Sequence, residues 1–442
     1  MRAWVVGAGL AGCEAAWRLA AAGVEVDLYE MKPVRFSPAH VSENLAELVC
    51  SNSFKAERAE SAAGLLKQEM RRLGSVLLPC ADLCRLPAGG AVAVDRNAFS
   101  AAVTEKISGN PLIHVRRGEI TQIPEAGVGV IATGPLTSGA LAAAIAGLCG
   151  ESLSFYDAAA PIVTAESLDR SVIFPASRYG RGDDDAYLNC PMDRGEYERF
   201  YGALACAERA PLHGFDAADP KVYEGCMPVE VLAARGPDTL RFGPMKPVGL
   251  RDPKTGHRPW AVVQLRRENA EGTLYNLVGF QTNLKFPEQK RVFGMIPGLA
   301  HAEFARYGVM HRNTFLDSPR VLSADLSLKS RPELFFAGQI TGVEGYMESA
   351  ASGIVAGINA ARRLSGLPAA VPPGTTMTGA MCRYVAAGGE GPFQPMGANF
   401  GILPRIEPNI RGKKERYAAL SARALNDLEG FLRFLKKQPE RG

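Results

Sequence analysis

The sequence predicts an α/β protein in which a Rossmann-type dinucleotide-binding domain is interrupted by an inserted mixed α/β domain. Three observations predict it. Residues 3–30 read as strand, glycine turn, helix, strand and terminal acid. Residues 129–134 form a second apolar strand ending in Ala-Thr-Gly. Residues 334–339 form a third ending in Ala-Gly-Gln, with a helical run over 349–364 behind it. The chain has 442 residues, more than one compact core usually holds, so the segment between these elements is expected to form a body of its own.

The first unit is the most specific. Residues 3–6 (AWVV) are a short apolar strand that runs into GAGLAG at 7–12, and an alanine-rich helix follows to about residue 22. Gly23 ends that helix, and residues 24–29 alternate as a second strand ending at Glu30. Gly7 permits the tight turn, Gly9 lets the backbone approach a pyrophosphate, and Gly12 lets helix and strand pack closely. Ala8, Leu10 and Ala11 complete the turn, whose helix N-terminus offers free N–H groups and a positive dipole end to phosphate. Glu30 is placed to accept from ribose hydroxyls. This unit alone does not choose between FAD and a nicotinamide dinucleotide.

The two later strands make that choice, because together with the first unit they form the pattern of a glutathione-reductase-like FAD-binding domain. Thr133 and Gly134 close one strand and Gly338 and Gln339 the other; Gly353 and Gly357 fall on one face of the helix behind. Many flavoproteins carry Gly-Asp where this chain has Gly338-Gln339, and an amide can also donate and accept there. Tyr346, between that turn and its helix, is expected near the isoalloxazine. No second GxGxxG strand–helix unit is present, so no dedicated nicotinamide domain is expected, and NADPH or NADH, if it serves as reductant, would visit the flavin transiently.

An FAD domain built from 1–155 and 321–442 leaves 156–320 as the insertion. Within it residues 228–235 and 288–296 read as helices, and 260–265 and 274–280 as strands. Residues 368–373, rich in proline, read as a linker to a C-terminal tail. Charge is uneven: residues 235–291 hold eleven Lys/Arg against five acids, and 410–442 nine against four. Basic excess interleaved with Trp260, Tyr275 and Phe286 suits an RNA backbone with stacked bases, and suits a merely solvated basic surface equally well. Arg266, Arg267, Lys413 and Lys414 are the candidate contacts. The nine cysteines form no CxxC pair, which argues for reduced thiols, a cytoplasmic location and no metal site. No 18-residue apolar run or secretion signal is visible, so no membrane association is expected.

Further motifs carry a resemblance. AELVCSNS (46–53), DAAAPIV (157–163), YLNCPM (187–192), GCMPVE (225–230), FGPMKPVGL (242–250), YGVMHRNT (307–314) and AGQITGVEGY (337–346) stand in order with the glycine turn. The chain resembles the folate- and FAD-dependent tRNA uracil-C5 methyltransferase family, TrmFO, over nearly its whole length. The last block is shared with the related GidA/MnmG family; the cysteine blocks are not.

The resemblance implies methylation of C5 of a T-loop uridine (position 54) in tRNA. Carbon comes from 5,10-methylenetetrahydrofolate, and reducing equivalents pass from NAD(P)H through FAD. Uracil C5 is a poor nucleophile until a group adds at C6, and a thiolate is the usual reagent. Cys226 is the better nucleophile candidate, because Pro228 marks a helix start just after it and a helix N-terminus lowers a thiol pKa. The resemblance makes Cys50, in a small polar loop, the second essential thiol, and gives His311 the role of stacking on the pterin. Arg312 and Lys246 are placed to meet the folate glutamate or RNA phosphate. The same chemistry on a ribosomal RNA uridine, a small-molecule FAD oxidoreductase and a non-catalytic flavin-containing RNA-binding protein are the alternatives. Protein colour and the RNA's modification state separate them.

Overall fold

The Arg2–Val6 strand is apolar and buried at every position after the first, as expected of a strand covered on both faces. In the computed structural model, which describes residues 1–150, 153–180, 186–211, 227–389, 393–408 and 410–436, it lies inside a six-stranded sheet. The order is Ser327–Leu328, Arg331–Phe336, Val128–Ile131, Arg2–Val6, Glu25–Glu30, Ile113–Arg117. All pairings are parallel except that of Ser327–Leu328 at one edge. Strands on both sides of Arg2–Val6 run with it, so a crevice opens beyond its carboxyl end, where such sheets bind ligands.

Helix Leu10–Ala21 follows that strand, and helix Tyr346–Leu364 packs directly on it. The two glycines foreseen on one face explain the closeness. A Cβ on Gly353 would sit 2.1 Å from the Ala11 carbonyl oxygen, and one on Gly357 would sit 2.6 Å from that of Ala15. Backbone meets backbone there. Gly353→Val is therefore expected to force the helices apart and lower stability by ~3 kcal/mol or more, read as a large drop in melting temperature. A melting curve like that of the parent protein would contradict this packing account.

A second, antiparallel sheet runs Phe174–Pro175, Tyr187–Met192, Ala261–Arg267, Leu274–Leu277, Ile162–Thr164, Phe304–Arg306. It has its own core, with Val263, Leu265, Phe280 and Phe293 fully buried. Strands Leu153–Ala158 and Met310–Phe315 pair antiparallel and form a two-stranded ribbon at the two places where the chain passes between the sheets. The expected helices and strands of this region are present with shifted ends: Val229–Ala234, Phe286–Phe293, Ala261–Arg267 and Leu274–Leu277.

The C-terminal part differs from the sequence reading. Beyond the prolines lies helix Met377–Ala387, whose first turn is held by the buried Glu69 carboxylate. That carboxylate accepts from the Met377 and Thr378 N–H groups at 2.7 and 2.8 Å. The expected tail is a 24-residue helix, Lys413–Lys436. Its buried Leu420, Ala424, Leu428 and Phe431 recur at helical spacing, a stripe that the surrounding charge conceals. Among the described residues no helix is long and apolar enough to cross a membrane.

Candidate active site

A cleft with about 1140 Å³ of empty space, part of it open to solvent, runs along the carboxyl end of Arg2–Val6. Gly7, Ala8, Gly9, Leu10, Ala11, Glu30, Thr133, Gly134, Gly338, Gln339 and Tyr346 all line it. Gly12 does not; it packs under the turn, where a Cβ would lie 1.8 Å from the Gly7 carbonyl oxygen. Gly7 has φ +95° and no room for a Cβ beside Ala132. Gly9 differs from both: a Cβ there would meet no protein atom within 4 Å. The space it faces is the cleft, so that glycine keeps room for a ligand and not for the protein.

Gly9 also caps helix Leu10–Ala21 without any side-chain hydrogen bond, which leaves first-turn N–H groups for an anion. The Glu30 carboxylate accepts from the N–H of Ala8 and of Lys32, both at 3.0 Å. It is thereby fixed with oxygen lone pairs to spare for ribose hydroxyls. The phosphate-facing turn and the ribose acid thus fit a dinucleotide.

A second cavity, with about 1360 Å³ of empty space, adjoins the first. Val49, Pro135, Leu136, Gln339, Tyr346 and Ser349 border both, and Cys50, Asn313 and Glu344 line the second. Cys50 sits in a loop without regular structure and is partly exposed. Its Sγ lies 3.1 Å from the Tyr346 hydroxyl, whose oxygen also accepts the N–H groups of Cys50 and Ser51 at 2.9 and 3.1 Å. The Asn52 amide is fully buried and ties the loop down. Its Nδ2 donates to the Val94 and Arg267 carbonyls, and its Oδ1 accepts from Arg266 Nε at 2.9 Å.

This last contact corrects the sequence reading of Arg266, expected on a basic surface. Arg266 is buried and also donates to Ser51 Oγ at 3.0 Å, so it braces the thiol loop instead of facing solvent. Arg267 is partly buried, whereas Lys246, Lys413 and Lys414 are exposed. Cys226 lies outside the described residues, as do the side chains of His311 and Arg312. The backbones of those two pair with Asp157 and Tyr156 in the ribbon. Pro228 is the N-cap of a helix of only six residues, not its first helical residue.

Several other thiols are placed for packing. Burial pushes Cys13 and Cys190 far up, Cys382 to about 12, and Cys80 and Cys149 to about 11. Sequence reasoning missed Arg96 and Arg306, which donate to the carbonyls of Leu48 and Val49, the two residues just before Cys50. Neither stands in a motif; each reaches the loop from a distant element. Among the described residues no group of three or more His, Cys, Asp or Glu side chains is arranged to hold a metal ion.

The fold and the cleft define a dinucleotide-binding protein with a thiol beyond the far end of its cofactor cleft. The sequence model of the family described as glucose inhibited division protein A matches residues 2–368. The methylenetetrahydrofolate–tRNA-(uracil-5-)-methyltransferase TrmFO of Desulfitobacterium hafniense is 59% identical over 428 residues, 97% of each chain. That of Geobacter sulfurreducens is 57% identical over 428 residues, 97% of this chain and 98% of its own. The crystal structure of Aquifex aeolicus GidA (form II) superposes with a TM-score of 0.71 at 16% identity, covering 99% of this chain and 74% of that one; this likeness speaks to fold alone. The chain belongs to the TrmFO family, within the wider glucose inhibited division protein A family.

Proposed function

We propose that this protein methylates C5 of the T-loop uridine of tRNA (position 54). The carbon comes from 5,10-methylenetetrahydrofolate, FAD is the resident cofactor, and NADPH or NADH is the transient reductant. One observation carries the reading beyond family membership. The cofactor cleft and the Cys50 cavity adjoin through shared walls, which supports a reaction in which thiol, folate and flavin act together.

The chain's own groups have separable tasks. The 7–12 turn and the first turn of Leu10–Ala21 hold the diphosphate, and Glu30 the ribose. Thr133, Gly134, Gly338 and Gln339 border the path toward Tyr346 and the second cavity. Bound there, FAD supplies the electron pair that turns the transferred one-carbon unit into a methyl group. Cys226 adds to C6 of the uracil, which makes C5 nucleophilic toward the folate carbon. Once C5 carries the new carbon its proton must leave, and Cys50 is assigned as the base that takes it. Loss of that proton releases tetrahydrofolate from the transferred carbon, and departure of the Cys226 sulfur then restores the ring. His311 is assigned to stacking on the pterin, and Lys246 and Arg312 to folate glutamate or RNA phosphate.

The segment 156–320 and the C-terminal helix are assigned to RNA. Reversing the charges of exposed Lys413 and Lys414 is expected to weaken tRNA binding and leave the flavin spectrum unchanged. The slope of log K against log salt should become shallower by about 2 if both meet phosphates. Unaltered affinity would move the RNA surface elsewhere. Charge reversal at Arg267 tests the inserted segment in the same way; Arg266 is unsuitable because its loss would disturb the thiol loop. The function itself is tested in a deletion strain. Position-54 5-methyluridine should vanish from its tRNA and return with the gene. Persistence of that nucleoside, with a loss of 5-methyluridine in ribosomal RNA, would move the substrate to the ribosome.

A further inference from the structure

We propose that Arg306 and Arg96, together with the Tyr346 hydroxyl, are positioning residues that hold Cys50 as a thiolate. Residues 48–52 (LVCSN) contain no ionisable side chain except the thiol. Three guanidiniums nevertheless grip this loop: Arg96 Nη1 donates to the Leu48 carbonyl at 2.8 Å, Arg306 Nη2 to the Val49 carbonyl, and Arg266 to Ser51 and Asn52. One carboxylate answers them. Glu268 pairs with Arg96 at 2.6 Å, and both side chains are largely buried, at 3% and 14% exposure. Arg306 is partly buried and has no carboxylate in ion-pair contact among the described residues.

Cations taken out of water demand an anion nearby. Among the described residues that contact residues 48–52 or pair with those that do, three guanidiniums and one carboxylate leave a positive excess, and the one anion the loop itself can furnish is the Cys50 sulfur.

The phenol adds direction. Its oxygen accepts two backbone N–H groups from the loop, which occupies both lone pairs. Its own hydrogen is then free for the sulfur at 3.1 Å, and a hydrogen bond to the charged form favours that form. Burial pushes the Tyr346 hydroxyl well up and Cys50 adds to the shift, so the phenol stays protonated and remains a donor. Burial pushes the Arg306 guanidinium down, and Arg96 pushes it further, while Tyr346 and Cys50 pull it back. The charged groups that hold the loop are thus Arg96, Arg266, Arg306 and Glu268, with Tyr346 as neutral donor; Glu344 and the Lys55–Glu348 pair, 3.1 Å apart, line the same cavity as the thiol. Two of the arginines, Arg266 and Arg306, come from the antiparallel sheet, so that sheet helps to set the state of a thiol that lies outside it.

This rests on the proposed reaction only in giving the thiolate a use, namely accepting the C5 proton near neutral pH. The test needs no RNA. Flavin-loaded protein is alkylated with iodoacetamide across a pH series, and modification of the Cys50 peptide is followed by mass spectrometry. In the parent protein the Cys50 rate should titrate with a midpoint about 1–2 units below that of a free thiol. Arg306→Gln should raise the midpoint by about one unit, Arg306→Lys should largely restore it, and Tyr346→Phe should raise it independently. A merely structural role for Arg306 would change the rate equally at every pH and leave the midpoint in place. A parent midpoint at or above that of a free thiol would overturn the proposal, as would midpoints unmoved in both Arg306→Gln and Tyr346→Phe. A low midpoint in a protein that methylates no RNA would overturn the functional reading and leave this one standing.

Discussion

Cys226→Ala binds FAD and tRNA as the parent does, forms no 5-methyluridine, and fails to trap an RNA carrying 5-fluorouridine at the target site. That is the expected result if the Cys226 sulfur adds to C6, because both turnover and the trap need the same C–S bond. The rate loss should be on the order of 10⁴-fold or more, as for other enzymes deprived of their nucleophile. Cys50→Ala should also lose turnover, by roughly 10²–10⁴-fold, as expected when a base is removed. It should still form the covalent RNA complex, since the first addition does not need Cys50. The trap therefore separates the two thiols. A trap retained by Cys226→Ala and lost by Cys50→Ala would exchange their roles. Full methylation by either variant would remove that cysteine from the mechanism.

The second large effect is expected at Gly9. The backbone there has φ −74°, which any residue adopts, and a Cβ would meet no protein atom within 4 Å. Gly9→Val should fold normally in the absence of cofactor. The new methyl groups occupy the space in front of the helix N-terminus where the diphosphate must lie. Affinity for FAD should fall by ~100-fold or more, about 3 kcal/mol, giving colourless or FAD-poor protein with an unchanged apo melting temperature. Gly7 and Gly12 would not serve, since their side chains would collide with the protein itself. Normal flavin occupancy in Gly9→Val would refute the assignment of this turn to the pyrophosphate.

What the sequence made legible follows from what local pattern can encode. The strand–turn–helix at 3–22, the acid at Glu30 and the glycine pair at 353 and 357 are set by neighbours in the chain and by backbone approach. Each left a signature in residue type and spacing. The C-terminal helix was hidden because its inward stripe is narrow and its other positions carry the charge expected of a tail. Arg266 was misread for a related reason. A guanidinium beside Arg267 in a basic stretch looks like surface until Asn52, more than 200 positions away, is seen to receive it. Arg96 and Arg306 gave no signal, because their partners are backbone carbonyls, which every residue has. The brace around the thiol is thus a property of tertiary structure, while the cofactor turn is a property of sequence.

The ribbon of Leu153–Ala158 and Met310–Phe315 has a consequence for how such a chain can be assembled. Its strands are hydrogen-bonded neighbours from Met310 opposite Ala158 to Phe315 opposite Leu153, so the chain leaves the nucleotide-binding half and returns to it about 5 Å apart. To that half, everything carried beyond the ribbon is a single long loop whose ends already touch. Closure entropy grows only with the logarithm of loop length, so lengthening that loop from a hairpin turn to an entire second sheet adds little to the cost of folding the host. The host strands on either side, Val128–Ile131 and Arg331–Phe336, can therefore pair as neighbours in one sheet despite the length of chain between them. A second module can be hung from such a ribbon at little cost to the host sheet, while Arg266 and Arg306 tie this one to the thiol loop.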